Sequence, residues 1–134
     1  MTEAATGRDL PLKWEVLVTP RIPAVTSDLA PGEKQRPWPP ISSTLISGER
    51  DAILVDAPIT VEQARSLANW IAASGKNLTT IYATHGHGDH FFAATTVLER
   101  FPNVRFVTRP EVIKIMRQQA SPESLATFWN PRFP

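Results

Sequence analysis

Between residues 41 and 119, short extended apolar runs alternate with stretches of helical period, and no other feature narrows the fold as far. Residues 41–47 and 52–56 are two such runs, joined by the polar stretch Gly48, Glu49, Arg50 and Asp51, a β-hairpin pattern. The run Ala52, Ile53, Leu54, Val55 is continuously apolar, as expected of a strand covered on both faces. Thr60 followed by Gln63 has the form of a capping box, Val61, Ala64, Leu67, Ala68 and Ile71 recur at helical spacing, and Gly75 suits the residue after a helix. The pattern predicts a helix over 61–74, a strand over 78–83, a second helix over 91–101 closed by Pro102, and a strand over 104–108. A third helix is expected over 111–119 with Val112, Ile115 and Met116 on one face, and Ser121 before Pro122 can open a last short one. An earlier strand over 13–19 carries Trp14, Val16 and Val18. Strands alternating with helices imply parallel βαβ units, so the class is α/β, a mixed sheet with a hairpin and covering helices.

Proline bounds the regular part. Of 13 prolines, seven lie before Ile41, which makes 20–40 a long irregular loop with Trp38 set between Pro37 and Pro39. That indole is expected to be either a pocket wall or a loop anchor. The 134 residues suit one domain, divided here into a tail over 1–12 and a domain over 13–134. Fourteen Lys and Arg against 13 Asp and Glu leave no basic stripe, so nucleic acid is not an expected partner. Cysteine is absent, which removes disulfide frameworks, Cys-type zinc sites and thiol nucleophiles. No run approaches the roughly 18 apolar residues of a membrane helix. Residues 1–10 have neither a basic nor an apolar leader region, so the expectation is a cytoplasmic protein without a membrane partner.

All three histidines fall in one stretch, His85-Gly86-His87-Gly88-Asp89-His90. The stretch follows a predicted strand and precedes a predicted helix, where ligand sites of open α/β sheets lie. His and Asp are N/O donors that suit zinc, and equally iron or manganese. The glycines are expected to permit unusual backbone angles, turning His85 and His87 toward one point while Asp89 and His90 serve an adjacent one. Asp56 ends an apolar strand and either approaches the same crevice or caps a turn.

The six residues 85–90 match in full the His-x-His-x-Asp-His signature of the metallo-β-lactamase fold superfamily, and Ile53-Leu54-Val55-Asp56 resembles that family's earlier strand ending in Asp. The resemblance implies that 84–90 is a metal-binding loop. His85 and His87 would bind a first zinc, and Asp89 and His90 a second. Asp89 would also be the candidate catalytic residue, and Asp56 would support the loop from behind. It further implies a metal-activated water attacking an ester, lactone, thioester, β-lactam or phosphoester of a small-molecule substrate. A histidine at position 87 looks like the hydrolytic branches, since the flavin-partnered diiron oxidoreductases of the superfamily usually depart there. The family fold is an αββα sandwich of two similar halves, with further ligands in the second. This chain resembles the N-terminal half, an incomplete domain. Completion is expected from a C-terminal half or by self-association; the alternative is an inactive fragment or a metal-binding or interaction module.

Overall fold

The computed structural model describes residues 11–134. Most of the expected tail over 1–12 lies outside the described residues. Five strands form one sheet: β1 (Lys13–Val18), β2 (Ser42–Ser47), β3 (Asp51–Val55), β4 (Asn77–Tyr82) and β5 (Arg105–Val107), standing in sequence order. β1, β2 and β3 pair antiparallel; β3, β4 and β5 pair parallel. The sheet is therefore mixed, as the hairpin followed by crossovers requires.

The parallel steps are bridged by α1 (Val61–Ala73) and α2 (Ala94–Arg100). Thr60 Oγ1 accepts from the Gln63 backbone N–H at 3.1 Å, and Gln63 Oε1 accepts from the Thr60 N–H at 3.1 Å, so the capping box closes as its spacing predicts. Beyond the helix, Gly75 takes a φ of 69°, a left-handed conformation that glycine adopts without steric cost. Both helices lie on one face of the sheet. Leu67 and Ile71 of α1 and Val97 of α2 pack with Leu45, Leu54 and Ile81 from three strands in one core.

Among the described residues, the opposite face carries no helix. Trp14, Ile46 and Ile53 stand in register across β1, β2 and β3, and Val16, Thr44 and Val55 form the next row. Trp14, Val16, Val18 and Ile53 are exposed. The continuous apolar run of β3 is thus covered on one face where two were expected, because both crossovers fall on the same side.

α2 begins at Ala94, three residues after the expected start. The preceding residues Gly88–His90 form a 3₁₀ turn whose Gly88 carbonyl accepts from the N–H groups of Phe91 and Phe92. The Ala93 N–H is drawn to Pro58 O at 2.9 Å, which ties this turn to the end of β3 and delays the helix. α3 (Pro110–Gln119) follows β5 and holds no fully buried residue. Val112 and Met116 are half-buried on it, while Ile115 leans over Gly86. The chain then runs through Pro122–Ser124, a π-helical stretch Leu125–Trp129, and Asn130–Arg132.

The loop between β1 and β2 is irregular, as its prolines demand, yet it is pinned. At its base the Thr19 N–H donates to Ile41 O at 2.8 Å, and Thr19 Oγ1 receives the Ile41 N–H at 3.1 Å. Further out Ile22 and Trp38 form an isolated antiparallel bridge. Among the described residues no helix is long and apolar enough to cross a membrane.

Candidate metal centre

β3 and β4 lie side by side, so their C-terminal ends bring Asp56 beside the loop that opens at Thr84. The Asp56 N–H continues the ladder to Tyr82 O at 2.9 Å. The backbone then turns through a φ of 64° at Asp56, a left-handed conformation that Asp tolerates better than most residues. The turn lets the Ala57 N–H reach His90 O at 2.9 Å. It also leaves the Asp56 side chain buried beneath the histidine loop.

The Asp56 carboxylate organises that loop. Its Oδ1 accepts the Thr84 N–H at 2.8 Å, and its Oδ2 accepts the Thr84 hydroxyl at 2.8 Å. His90 Nδ1 lies 2.9 Å from the same Oδ2. A carboxylate only accepts, so His90 donates from Nδ1–H, and the neutral imidazole then has its lone pair on Nε2. Thr84 Oγ1 spends its single proton on Asp56 and therefore accepts from His85 Nδ1, 2.9 Å away. His85 is thereby also a Nδ1–H tautomer with Nε2 available. One buried acid orients both imidazoles, directly for His90 and through Thr84 for His85, the arrangement by which metal-binding histidines are held from behind.

The His85 and His90 rings lie 4.1 Å apart between centroids, and the His85 and His87 rings 4.8 Å apart. Burial first, then the neighbouring His90 and His87, hold the His85 imidazole below its ordinary pKa, favouring the neutral form that binds metals. Donor atoms of Asp56, His85 and His90 all lie within 4.8 Å of one another. Asp89 Oδ2 lies 3.9 Å from His90 Nε2. Two zinc–ligand bonds of about 2.0–2.2 Å span the 3.9 Å between Asp89 Oδ2 and His90 Nε2, so these two donors fit one zinc ion. His87 stands exposed on the same loop beside His85. The five sequence-predicted residues thus share one end of the sheet. Three form the tight cluster, and His87 and Asp89 flank it.

The two loop glycines serve a different purpose from the one expected. Neither has a positive φ. A Cβ on Gly86 would meet Ile115 Cβ and Cγ2 at 2.5 Å and the Met116 backbone nitrogen at 3.0 Å; one on Gly88 would run into the Phe92 ring. They are glycines because α3 and Phe92 press directly against the loop backbone.

Several supporting residues carried no clear sequence signal. Thr84 adjoins His85, but nothing in the sequence shows its bond to an acid 28 positions earlier. Gln119, at the end of α3, receives the Gly88 N–H at 3.3 Å. Of the two roles its sequence position suggested, Trp38 takes that of loop anchor. It anchors the loop over 20–40 against Trp129 and Phe133, and its Nε1–H donates to Asp89 Oδ2 at 3.2 Å.

A family model, described as the metallo-beta-lactamase superfamily, matches residues 36–130, which include every residue of this centre. No curated protein matches the sequence. Among solved structures, the chain is similar to a metallo-beta-lactamase from Erythrobacter litoralis with beta-mercaptoethanol in its active site (22% identity, TM-score 0.52, 60% of this chain and 35% of that one). It is also similar to FIM-1 from Pseudomonas aeruginosa in its mono-zinc form (15%, 0.54, 75% and 48%) and to a Cronobacter sakazakii metallo-beta-lactamase (20%, 0.51, 60% and 32%). At these identities the likeness is one of fold, and the chain spans about a third to a half of the length of those proteins.

Proposed function

Because the chain belongs to the metallo-beta-lactamase superfamily, we propose that it contributes the histidine loop of a metal-dependent hydrolase. The observation that supports this most directly is the Asp56–Thr84 network, which leaves the Nε2 lone pairs of His85 and His90 available beside Asp89. His85 and His87 would hold one zinc and Asp89 and His90 a second, with Asp56 supporting from behind. Bound there, zinc would supply Lewis acidity toward a carbonyl or phosphoryl oxygen and toward water. The chain's own residues do the rest. Asp56 fixes the imidazole tautomers, and Asp89 accepts a hydrogen bond from the reacting water and orients it. In hydrolysis the water oxygen bonds to the substrate's carbon or phosphorus, and the leaving oxygen, nitrogen or sulfur departs with the water's proton. The substrate class is an ester, lactone, thioester, β-lactam or phosphoester.

The partner follows from the uncovered sheet face. Trp14, Val16, Val18 and Ile53 form an exposed apolar surface of the kind that marks an interface. We propose that the remaining half of the sandwich packs there and brings the further ligands. Zinc uptake by the purified chain, measured by competition with a chelator, tests the centre. One or two ions per chain are expected, lost in His85→Ala, with Asp89→Ala weakening the second ion more than the first. Esterase, lactonase and phosphodiesterase activity is expected once the covering half is added and absent in His85→Ala. A wild-type chain that takes up no zinc, or activity indifferent to His85, would sink the proposal.

A further inference from the structure

Trp38 connects two regions far apart in the sequence. It lies in the loop over 20–40, yet its indole N–H bonds a carboxylate 51 positions later on the histidine loop, at 3.2 Å. An indole N–H only donates, so this bond occupies one acceptor direction of Asp89 Oδ2 and suits the ionised carboxylate. The same oxygen lies 3.9 Å from His90 Nε2. The indole therefore restrains the oxygen that stands closest to a histidine donor, and leaves it acceptor capacity on that side. The Asp89 side chain is largely buried, where a fixed hydrogen bond counts for more than it does in water.

The donor is itself held from three directions. Its ring packs against Trp129 at 5.7 Å and edge-on against Phe133 at 5.4 Å. Its backbone N–H reaches Ile22 O at 2.8 Å. Pro37 before it and Pro39 and Pro40 after it restrict the backbone on both sides, so little conformational freedom remains to be lost when the bond forms. The Val25 N–H bonds Arg132 O at 2.9 Å, tying the loop to the segment that supplies Trp129 and Phe133.

We propose that Trp38 is a positioning residue for Asp89: its indole N–H sets the rotamer of that carboxylate for the second metal ion. The inference rests on the proposed metal centre. A residue that only anchored its loop would be needed for its ring; this role needs the nitrogen.

Two measurements on the full chain test it. The first is zinc affinity of wild type and Trp38→Phe by chelator competition, alongside their melting temperatures. Loss of an outer hydrogen bond to a ligand costs about 10–100-fold in metal affinity. Trp38→Phe is therefore expected to bind the second ion about 10-fold or more weakly while the first ion is unaffected. Equal affinities in the two proteins, or parallel loss of both ions with an earlier melt, would overturn the inference. The second keeps the native tryptophan and follows its indole N–H by NMR, assigned by its disappearance in Trp38→Phe. In Asp89→Ala that proton should shift and exchange faster with solvent. An indole proton indifferent to Asp89→Ala overturns the inference whatever zinc does. A wild type without zinc overturns the proposed function instead.

Discussion

On the helical face of the sheet, Leu45, Leu54 and Ile81 are at most 1% exposed, whereas Trp14, Val18 and Ile53 on the opposite face are 72%, 57% and 40% exposed. Residue type does not separate the two sets. Leu54 and Ile53 are consecutive residues of similar size, and alternation along β3 sends them to opposite sides. What separates them is connectivity. The steps β3 to β4 and β4 to β5 advance in the same direction across the sheet, and right-handed crossovers then put α1 and α2 on one side. The second side must be covered by something other than these crossovers. The histidine loop lies where the ends of β3 and β4 meet. Its tautomers are set by buried Asp56, and its backbone is pressed by α3.

The contrast can be broken or sharpened by substitution. The largest effect is expected on the covered face, where Leu54→Ala removes a fully buried side chain and should cost about 2–5 kcal/mol in urea unfolding. A cost under about 1 kcal/mol would mean that this face is not the core. Next is Gly86→Ala, which forces a methyl group against Ile115 and the α3 backbone. It should cost about 1–3 kcal/mol and weaken zinc uptake without touching a ligand. A neutral result would show that α3 does not press on the loop. The smallest effect belongs to the open face. Ile53→Thr in the isolated chain should cost about 0.5–1 kcal/mol, as for a partly exposed site. The same substitution should weaken association with the covering half, measured by titration calorimetry. A cost equal to that of Leu54→Ala would mean the face is already buried by a second copy, which sedimentation would show directly.

Much of this architecture was legible because it rests on short-range patterns. The capping box of Thr60 and Gln63, the hairpin around Gly48 and the left-handed Gly75 follow from neighbours in the chain. The six-residue signature over 85–90 likewise gathers its candidate donors without any fold. The continuous apolar run of β3 misled in one respect. It records a strand suited to burial on both sides, while this chain covers one. The glycines misled in another. Gly86 and Gly88 are small because Ile115 and Phe92 are close, and that proximity is a tertiary fact with no trace in the motif. Trp38 shows the same limit, since its proline neighbours announce a rigid aromatic but nothing local connects it to Asp89.

The Asp56 network has a consequence for how the chain assembles. Its contacts close over 28 and 34 positions, all within the single unit formed by β3, α1, β4 and the loop that follows. The contact from Trp38 closes over 51 and requires the irregular loop as well. Closure entropy grows only slowly with span, so length alone separates these events little. The difference lies in what must already be in place: the inner contacts need one crossover, whereas the outer one also needs the aromatic platform of Trp129 and Phe133. The imidazoles are thus oriented within a local unit, and the indole is a long-range fastening laid across it.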